Sequence, residues 1–91
     1  MSVEVRLPSL LRSAAGGASS VQVEGTTIGD VLADLVQRFP ALDGRFVTEG
    51  GEMHKFLNVY LNDDDVRFLD KLATKVADGD SVTVLPAVAG G

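Results

Sequence analysis

The strongest constraint on the fold is a single helical stripe of apolar residues in a chain whose other apolar runs alternate. The stripe follows the i, i+3, i+4 spacing of an amphipathic helix and consists of Ile28, Val31, Leu32, Leu35, Val36 and Phe39. Thr27 can cap this helix, and Asp30 lies in its first turn, near the positive end of the helix dipole. Pro40 ends the run. One such stripe covers one face of a sheet, so we expect one main helix.

The other apolar runs alternate with polar residues, as half-buried strands do. Strands are predicted over residues 3–7, 21–23, 56–62 and, after a turn, within 63–68, followed by a last strand that places Val82 and Val84 inward. Glycine-rich loops and turns connect them, over 12–20, 41–55 and 78–80. This order predicts an α+β domain with a sheet of about five strands, which is mixed if the first and last strands are neighbours.

Composition is that of one compact domain, which we place at residues 1–86, followed by a flexible Gly-Gly tail at 87–91. Of 91 residues, 45% are hydrophobic and 23% are charged, and the formal net charge is -5. This charge argues against nucleic acid or an anionic membrane as a partner and favours a basic protein. No signal peptide and no apolar run of about 18 residues is evident, which predicts a cytoplasmic protein.

The sequence lacks the patterns of an enzyme or a metal protein. Cysteine is absent, which excludes disulfides, thiolate zinc sites and a cysteine nucleophile. An EF-hand beginning at Asp63 needs glycine and glutamate where the chain has Phe68 and Thr74, so the acidic run is interpreted as a solvated turn. His54 is the only histidine, and neither a nucleophile elbow nor a phosphate-binding loop accompanies it. We therefore expect neither catalytic residues nor a bound cofactor or metal.

The carboxyl terminus is the one unusual chemical feature. Leu85 breaks the inward alternation of the last strand and is expected on the sheet face away from the helix, together with Tyr60. The last five residues extend to roughly 17 Å and carry no charged or large side chain before the terminal carboxylate of Gly91. A frayed end is one interpretation of such a tail. The other is that it enters a narrow channel in another protein and presents its carboxylate there as a substrate.

Three segments carry a resemblance to a known family. The ending "LPAVAGG", the strand "FLNVYLNDDDVRF" and the run "VADGDSVTVLPAVAGG" resemble the ubiquitin-like sulfur carriers of the MoaD and ThiS family, most closely those of cysteine biosynthesis. The resemblance implies a β-grasp fold. It also implies a MoeB-like enzyme that uses ATP to adenylate Gly91, a sulfurtransferase step that produces a thiocarboxylate, and an acceptor such as a cysteine synthase or another sulfur-inserting synthase.

The resemblance also implies roles for single residues. The residues that thread the partner's active site are Pro86, Ala87, Val88, Ala89 and Gly90, and Leu85 and Tyr60 form the partner interface. In the small subunits of molybdopterin synthase an aromatic residue often precedes the proline, whereas this chain has Leu85. That difference favours a role in cysteine biosynthesis, or in another sulfur-containing metabolite such as a thiosugar.

Two alternatives remain open at the level of sequence. Besides a sulfur carrier, the chain could be a protein modifier that forms isopeptide bonds through Gly91, or a molybdopterin synthase small subunit that stays bound to a catalytic partner. A Gly-Gly remnant on target lysines would identify the first, and a stable complex with a large subunit would identify the second.

Overall fold

The computed structural model describes residues 2–48, 50–54 and 57–86. The strands are β1 (Ser2–Arg6), β2 (Ser20–Glu24), β3 (Leu57–Leu61), β4 (Asp64–Asp65) and β5 (Ser81–Pro86). The α-helices are α1 (Ser9–Arg12) and α2 (Ile28–Arg38). Short 3-10 turns cover Ser13–Ala15, Pro40–Leu42, Val66–Phe68 and Lys71–Ala73. None of the helices within these ranges is long and apolar enough to cross a bilayer.

The strands form one mixed sheet in the order β2, β1, β5, β3, β4. Strands β1 and β2 form the predicted antiparallel hairpin. The last strand, β5, lies at the centre of the sheet, parallel to β1 and antiparallel to β3, and β4 pairs antiparallel with the outer edge of β3. The first and last strands are therefore neighbours, which confirms the predicted mixed sheet.

The main helix begins as the sequence predicts. The Thr27 hydroxyl oxygen accepts a hydrogen bond from the backbone N–H of Asp30 at 3.1 Å, which satisfies one of the open donors of the first turn. The Asp30 carboxylate accepts a hydrogen bond from the Thr26 hydroxyl at 2.9 Å, and this bond is the main cause of the lowered pKa of Asp30. The helix ends at Arg38, and Pro40 begins a 3-10 turn.

A carboxylate on the same helix ties it to the hairpin. Asp34 accepts a hydrogen bond from the backbone N–H of Glu24 at 2.9 Å and another from the Arg38 guanidinium at 2.9 Å. Both bonds favour the ionised form, so the pKa of Asp34 lies below its ordinary value, chiefly because of the bond from Glu24. The helix is thereby held at the end of β2.

The core lies between α2 and one face of the sheet. Every position predicted to face inward on the helix and the last strand is buried or packed against this core. Residues outside the strands and α2 also belong to the core, and sequence periodicity did not identify them: Leu11, Ala15, Leu42, Phe46, Val66 and Val76. Loops and short helical turns therefore cover the ends of the core between α2 and the sheet.

Two predicted boundaries were wrong. The segment 12–20 was expected to be a loop, but its first part continues α1 into a 3-10 turn because Leu11 and Ala15 are buried against the core. Within 63–68, the short strand is formed by the acidic residues Asp64 and Asp65 themselves, and the apolar part that follows is a 3-10 turn. The Asp65 carboxylate accepts the backbone N–H of Arg67 at 2.9 Å and so caps that turn.

Candidate functional site: the carboxyl-terminal strand and its exit

Strand β5 holds the root of the tail in the middle of the sheet. Val82 and Val84 are fully buried, as predicted. Each lies opposite an apolar residue of a neighbouring strand, Val82 beside Val5 and Val84 beside Val59. A strand that is paired on both sides and buried on one face cannot separate from the sheet without breaking the core. The last residues of the chain are thus attached to the most strongly supported strand of the domain.

The turn before β5 fixes where that strand begins. The Asp80 carboxylate accepts the backbone N–H of Ala77 at 2.8 Å, and Gly79 adopts a φ of 87°, which favours glycine. The Gly79 N–H in turn donates to the Ser2 carbonyl at 2.9 Å, so the turn is bonded to the start of β1. This is the Asp-Gly-Asp turn expected from the sequence.

The outer face of the sheet carries the predicted pair of apolar residues. Leu85 is 44% exposed and Tyr60 is half-buried. Thr83 lies between them, opposite Tyr60 in the register of β3 and β5, and the three line a shallow cleft together with Asn62 and Asp63. The structure therefore brings the two predicted interface residues together on the face away from α2.

We use "exit end" for the end of the sheet at which β5 terminates, where Pro86 pairs with Leu57. The guanidinium of Arg67 donates to the Leu57 carbonyl at 2.7 Å and to the His54 carbonyl at 3.3 Å, and so holds the start of β3 next to Pro86. Sequence reasoning missed this role of Arg67, because its bonds reach carbonyls 10 and 13 residues away and leave no periodic signal. Pro86 itself is exposed.

The predicted threading and modified residues beyond Pro86 lie outside the described residues: Ala87, Val88, Ala89, Gly90 and Gly91. The site geometry therefore ends at Pro86, at the centre of the exit end. What the described residues provide is a fixed position for Pro86, the residue that precedes the tail.

The other residues whose side chains could act in catalysis or bind a ligand are either exposed to solvent or bonded within their own loops. The described residues form no group of three or more histidine and carboxylate side chains able to hold a metal ion. Asp63 and Asp64 are exposed, in agreement with a solvated acidic run. The His54 ring lies 2.7 Å from the Gly44 carbonyl through Nε2, and its backbone N–H donates to the Phe46 carbonyl at 2.9 Å. His54 thus packs the loop between α2 and β3.

The mixed five-stranded sheet, the helix across one face and the central terminal strand define a ubiquitin-like β-grasp protein. The chain belongs to the ThiS family, whose sequence pattern matches residues 5–91.

Several named proteins align with this chain over its full length or nearly so. The sulfur carrier protein CysO of Mycobacterium tuberculosis is 48% identical over a 93-residue alignment that covers both proteins in full. A chain in the crystal structure of the Amycolatopsis orientalis BexX/CysO complex is 45% identical with a TM-score of 0.90, and the match covers 98% of this chain and 99% of that one. Small archaeal modifier protein 3 of Haloferax volcanii is 39% identical, again over both full lengths. These relatives are named as carriers and modifiers, in agreement with the prediction that the chain is not an enzyme.

Proposed function

We propose that this protein is a sulfur carrier whose terminal Gly91 carboxylate is adenylated by a MoeB-like partner and converted to a thiocarboxylate. The observation that carries the proposal is the architecture of β5. Two fully buried valines fix the strand at the centre of the sheet, and five small residues follow Pro86 in the sequence and end in the Gly91 carboxylate. Full-length similarity to a sulfur carrier protein supports the same function.

The chemistry follows from the poor reactivity of a carboxylate. In the first step an oxygen of the Gly91 carboxylate attacks the α-phosphorus of ATP, and pyrophosphate leaves. In the second step a hydrosulfide equivalent attacks the carbonyl carbon of the acyl adenylate, AMP leaves with the original oxygen, and a proton is released. The product has sulfur in place of one carboxylate oxygen. ATP is bound by the partner, and the carrier contributes only its terminal atoms.

The tail composition suits delivery into a channel. At about 3.3 to 3.6 Å per residue, residues 87–91 reach roughly 17 Å beyond Pro86. Ala87, Val88 and Ala89 are narrow, and Gly90 and Gly91 have no side chain, so a channel can enclose the backbone closely. We assign Leu85 and Tyr60 to the surface that meets the rim of that channel.

For the acceptor we propose a cysteine synthase that uses an activated serine, or another sulfur-inserting synthase such as one that makes a thiosugar. The nucleophilic thiocarboxylate sulfur forms a bond to an electrophilic carbon of the acceptor's substrate, and the activated oxygen on that carbon leaves with the electron pair of the broken carbon–oxygen bond. Hydrolysis of the resulting thioester-like bond then returns the Gly91 carboxylate. Sulfur is carried covalently throughout and is never released as free sulfide.

Intact mass spectrometry tests the proposal. The protein is incubated with its adenylating enzyme, ATP and a sulfur donor, and the mass is expected to rise by the difference between one sulfur and one oxygen. A chain that ends at Ala89 is the matched control, because it keeps the domain and lacks the reacting group. An unchanged mass for the full chain, with an enzyme proven active on another carrier, would refute the proposal.

A second candidate function is favoured by one specific relative, small archaeal modifier protein 3. As a modifier, the chain would transfer the same activated carbonyl to a lysine amine and form an isopeptide bond. Tryptic digestion of cell protein distinguishes the two functions, because trypsin last cuts this chain after Lys75 and a modifier therefore leaves residues 76–91 attached through Gly91 to target lysines. Thiocarboxylate formation without any such remnant supports the carrier alone.

A further inference from the structure

The free edge of β2 is the longer of the two edges of the sheet. The strand order places β2 at one edge and β4 at the other, and β2 has five residues whereas β4 has two. An edge strand presents unpaired backbone N–H and C=O groups to which another strand can bond. Both residues of β4, Asp64 and Asp65, are acidic, and charged side chains hinder such pairing. The edge at which a further strand can pair is therefore β2.

The register of the β1–β2 hairpin decides which backbone groups reach this edge. The Leu7 N–H donates to the Ser19 carbonyl at 2.9 Å, so the odd-numbered residues of β2 are the ones bonded to β1. In an antiparallel pair, alternate residues bond to the partner strand and the residues between them point away from it. The N–H and C=O groups of Ser20, Gln22 and Glu24 therefore point away from β1.

One of these outward groups already has a partner. The Glu24 N–H donates to the Asp34 carboxylate at 2.9 Å, which agrees with the outward direction derived from the register. The outward backbone groups of Ser20 and Gln22 form no hydrogen bond to another described residue, and both residues are exposed. A strand added to β2 can thus bond to Ser20, to Gln22 and to the Glu24 carbonyl, while Asp34 keeps the last donor.

The side chains of β2 define what such a strand must carry. On the core face Val23 is buried and Val21 is half-buried against the core, so an apolar side chain is required beside Val21. On the outer face Ser20, Gln22 and Glu24 are exposed. A residue opposite Glu24 must be neutral or basic, because like charges directly opposite each other in a sheet are destabilising.

We propose that β2 pairs with β2 of a second copy of this chain, antiparallel and centred on Gln22. The two five-stranded sheets then form one continuous sheet. In this register Gln22 lies opposite Gln22, Ser20 lies opposite Glu24, and Val21 lies opposite Val23. It is the one antiparallel self-pairing that overlaps all five residues of the strand.

The second copy meets each requirement of the edge. The two Gln22 residues exchange their N–H···O=C bonds, and the Ser20 N–H of each copy donates to the Glu24 carbonyl of the other. The half-buried side chain of Val21 gains Val23 as an apolar cross-strand neighbour. The Glu24 carboxylate faces the neutral Ser20, whereas a register centred on Glu24 would oppose two carboxylates. Shape and charge therefore both favour the pairing centred on Gln22.

The contact should be weak and reversible. Five paired residues span about 17 Å, and a single strand pair buries less than the roughly 1,200 Å² typical of stable complexes. Each copy carries a net charge of -5, so salt should tighten the dimer by screening the repulsion. Because the copies are antiparallel, their β5 strands end at opposite ends of the joined sheet. Gly91 takes no part in the pairing, which is independent of the proposed function.

Sedimentation equilibrium from about 10 μM to 1 mM tests whether the chain pairs with itself. Wild type should shift from monomer toward dimer as its concentration rises. Gln22→Lys and Gln22→Glu each place like charges opposite each other at the centre of the pairing, so each should raise the dissociation constant of the dimer about fivefold. Because Gln22 is exposed, both variants should keep the melting temperature of the parent. A wild-type chain that stays monomeric throughout this range overturns the proposal.

An equimolar mixture of the two variants tests the register. A lysine of one copy then faces a glutamate of the other, so a mixed dimer should form with at least the affinity of wild type. Phe68→Lys and Phe68→Glu are the matched controls, because they make the same charge changes at an exposed residue just after β4, at the other edge of the sheet. They should change the dissociation constant less than about twofold. Failure of the mixture to recover, or equal weakening by the Phe68 variants, would overturn the proposal.

Amide hydrogen exchange locates the contact on the edge of β2. The Gln22 N–H finds an acceptor only in the dimer, so its exchange should slow as the protein concentration rises. The N–H groups of Val21 and Val23 are bonded to β1 in both states and should exchange at rates that do not depend on concentration. Dimers that give Gln22 no added protection would place the contact elsewhere and refute the pairing.

Discussion

Adjacent residues of β5 should have opposite effects when truncated, one on stability and the other on binding. Val84 is fully buried, and Val84→Ala removes two methyl groups from the core. At about 0.8 kcal/mol for each buried group, plus a cavity term of similar size, the loss of folding free energy is about 2 to 3 kcal/mol. Leu85 is 44% exposed on the other face, so Leu85→Ala should cost under about 1 kcal/mol.

Urea denaturation followed by far-ultraviolet circular dichroism measures both losses, and adenylation kinetics measure binding. In a domain of this size a loss of 2 to 3 kcal/mol lowers the melting temperature by roughly 10 to 20 °C. We expect Val84→Ala to show this loss with an unchanged KM at a temperature where it is folded, and Leu85→Ala to show a raised KM with little loss of stability. Equal destabilisation by the two variants would refute the assigned alternation of β5, and with it the outward position of Leu85.

Three further predictions concern the supports of the domain. Because the pKa of Asp34 is lowered, its ionised form stabilises the fold fully above the ordinary pKa of 3.8, and this stability is lost as the pH falls through the pKa of the folded state. At neutral pH, wild type should therefore have a larger free energy of unfolding than Asp34→Asn. Urea titrations at acid pH should show this difference disappear. Arg67→Met leaves the Leu57 carbonyl without its cationic donor, so we expect a loss of about 1 to 3 kcal/mol and faster amide hydrogen exchange at the start of β3; unaltered exchange there would contradict it. Gly25→Ala places a Cβ only 2.8 Å from a backbone nitrogen of α2 and should lower the melting temperature. An unchanged melting temperature would show that the connection between β2 and α2 shifts to make room for the methyl group.

Local patterns predicted the parts of the structure that depend on local physics. Thr27 caps α2 because a hydroxyl can reach an open N–H three residues away, which sequence spacing alone determines. Val82 and Val84 face inward and Leu85 outward because strand alternation has a period of two. The family resemblance supplied the proposed function, which spacing and composition alone did not indicate.

The features that sequence did not predict depend on contacts distant in the chain. Phe46 is buried although it lies in an irregular loop, because the loop folds back over one end of the core. Arg67 stabilises the start of β3 through a carbonyl that is 10 residues away in the chain and lies within reach in the fold, where β4 pairs with β3. Neither side chain belongs to a periodic pattern, so only the tertiary structure assigns their roles.

The net charge is another sequence property whose meaning for partner recognition depends on the tertiary structure. A value of -5 indicates a basic partner only if the charge is spread evenly or is concentrated where the partner binds. In this fold the turns at the start of β5 hold carboxylates, whereas α1 and the residue after Val66 bring arginines to the exit of the tail. The antiparallel pairing of β3 with β5 separates these groups by the length of a strand, about 17 to 20 Å, which exceeds the Debye length of about 8 Å at physiological salt. A partner at the tail therefore responds to the charges close to the tail, and the acidic turns at the far end add little to its binding.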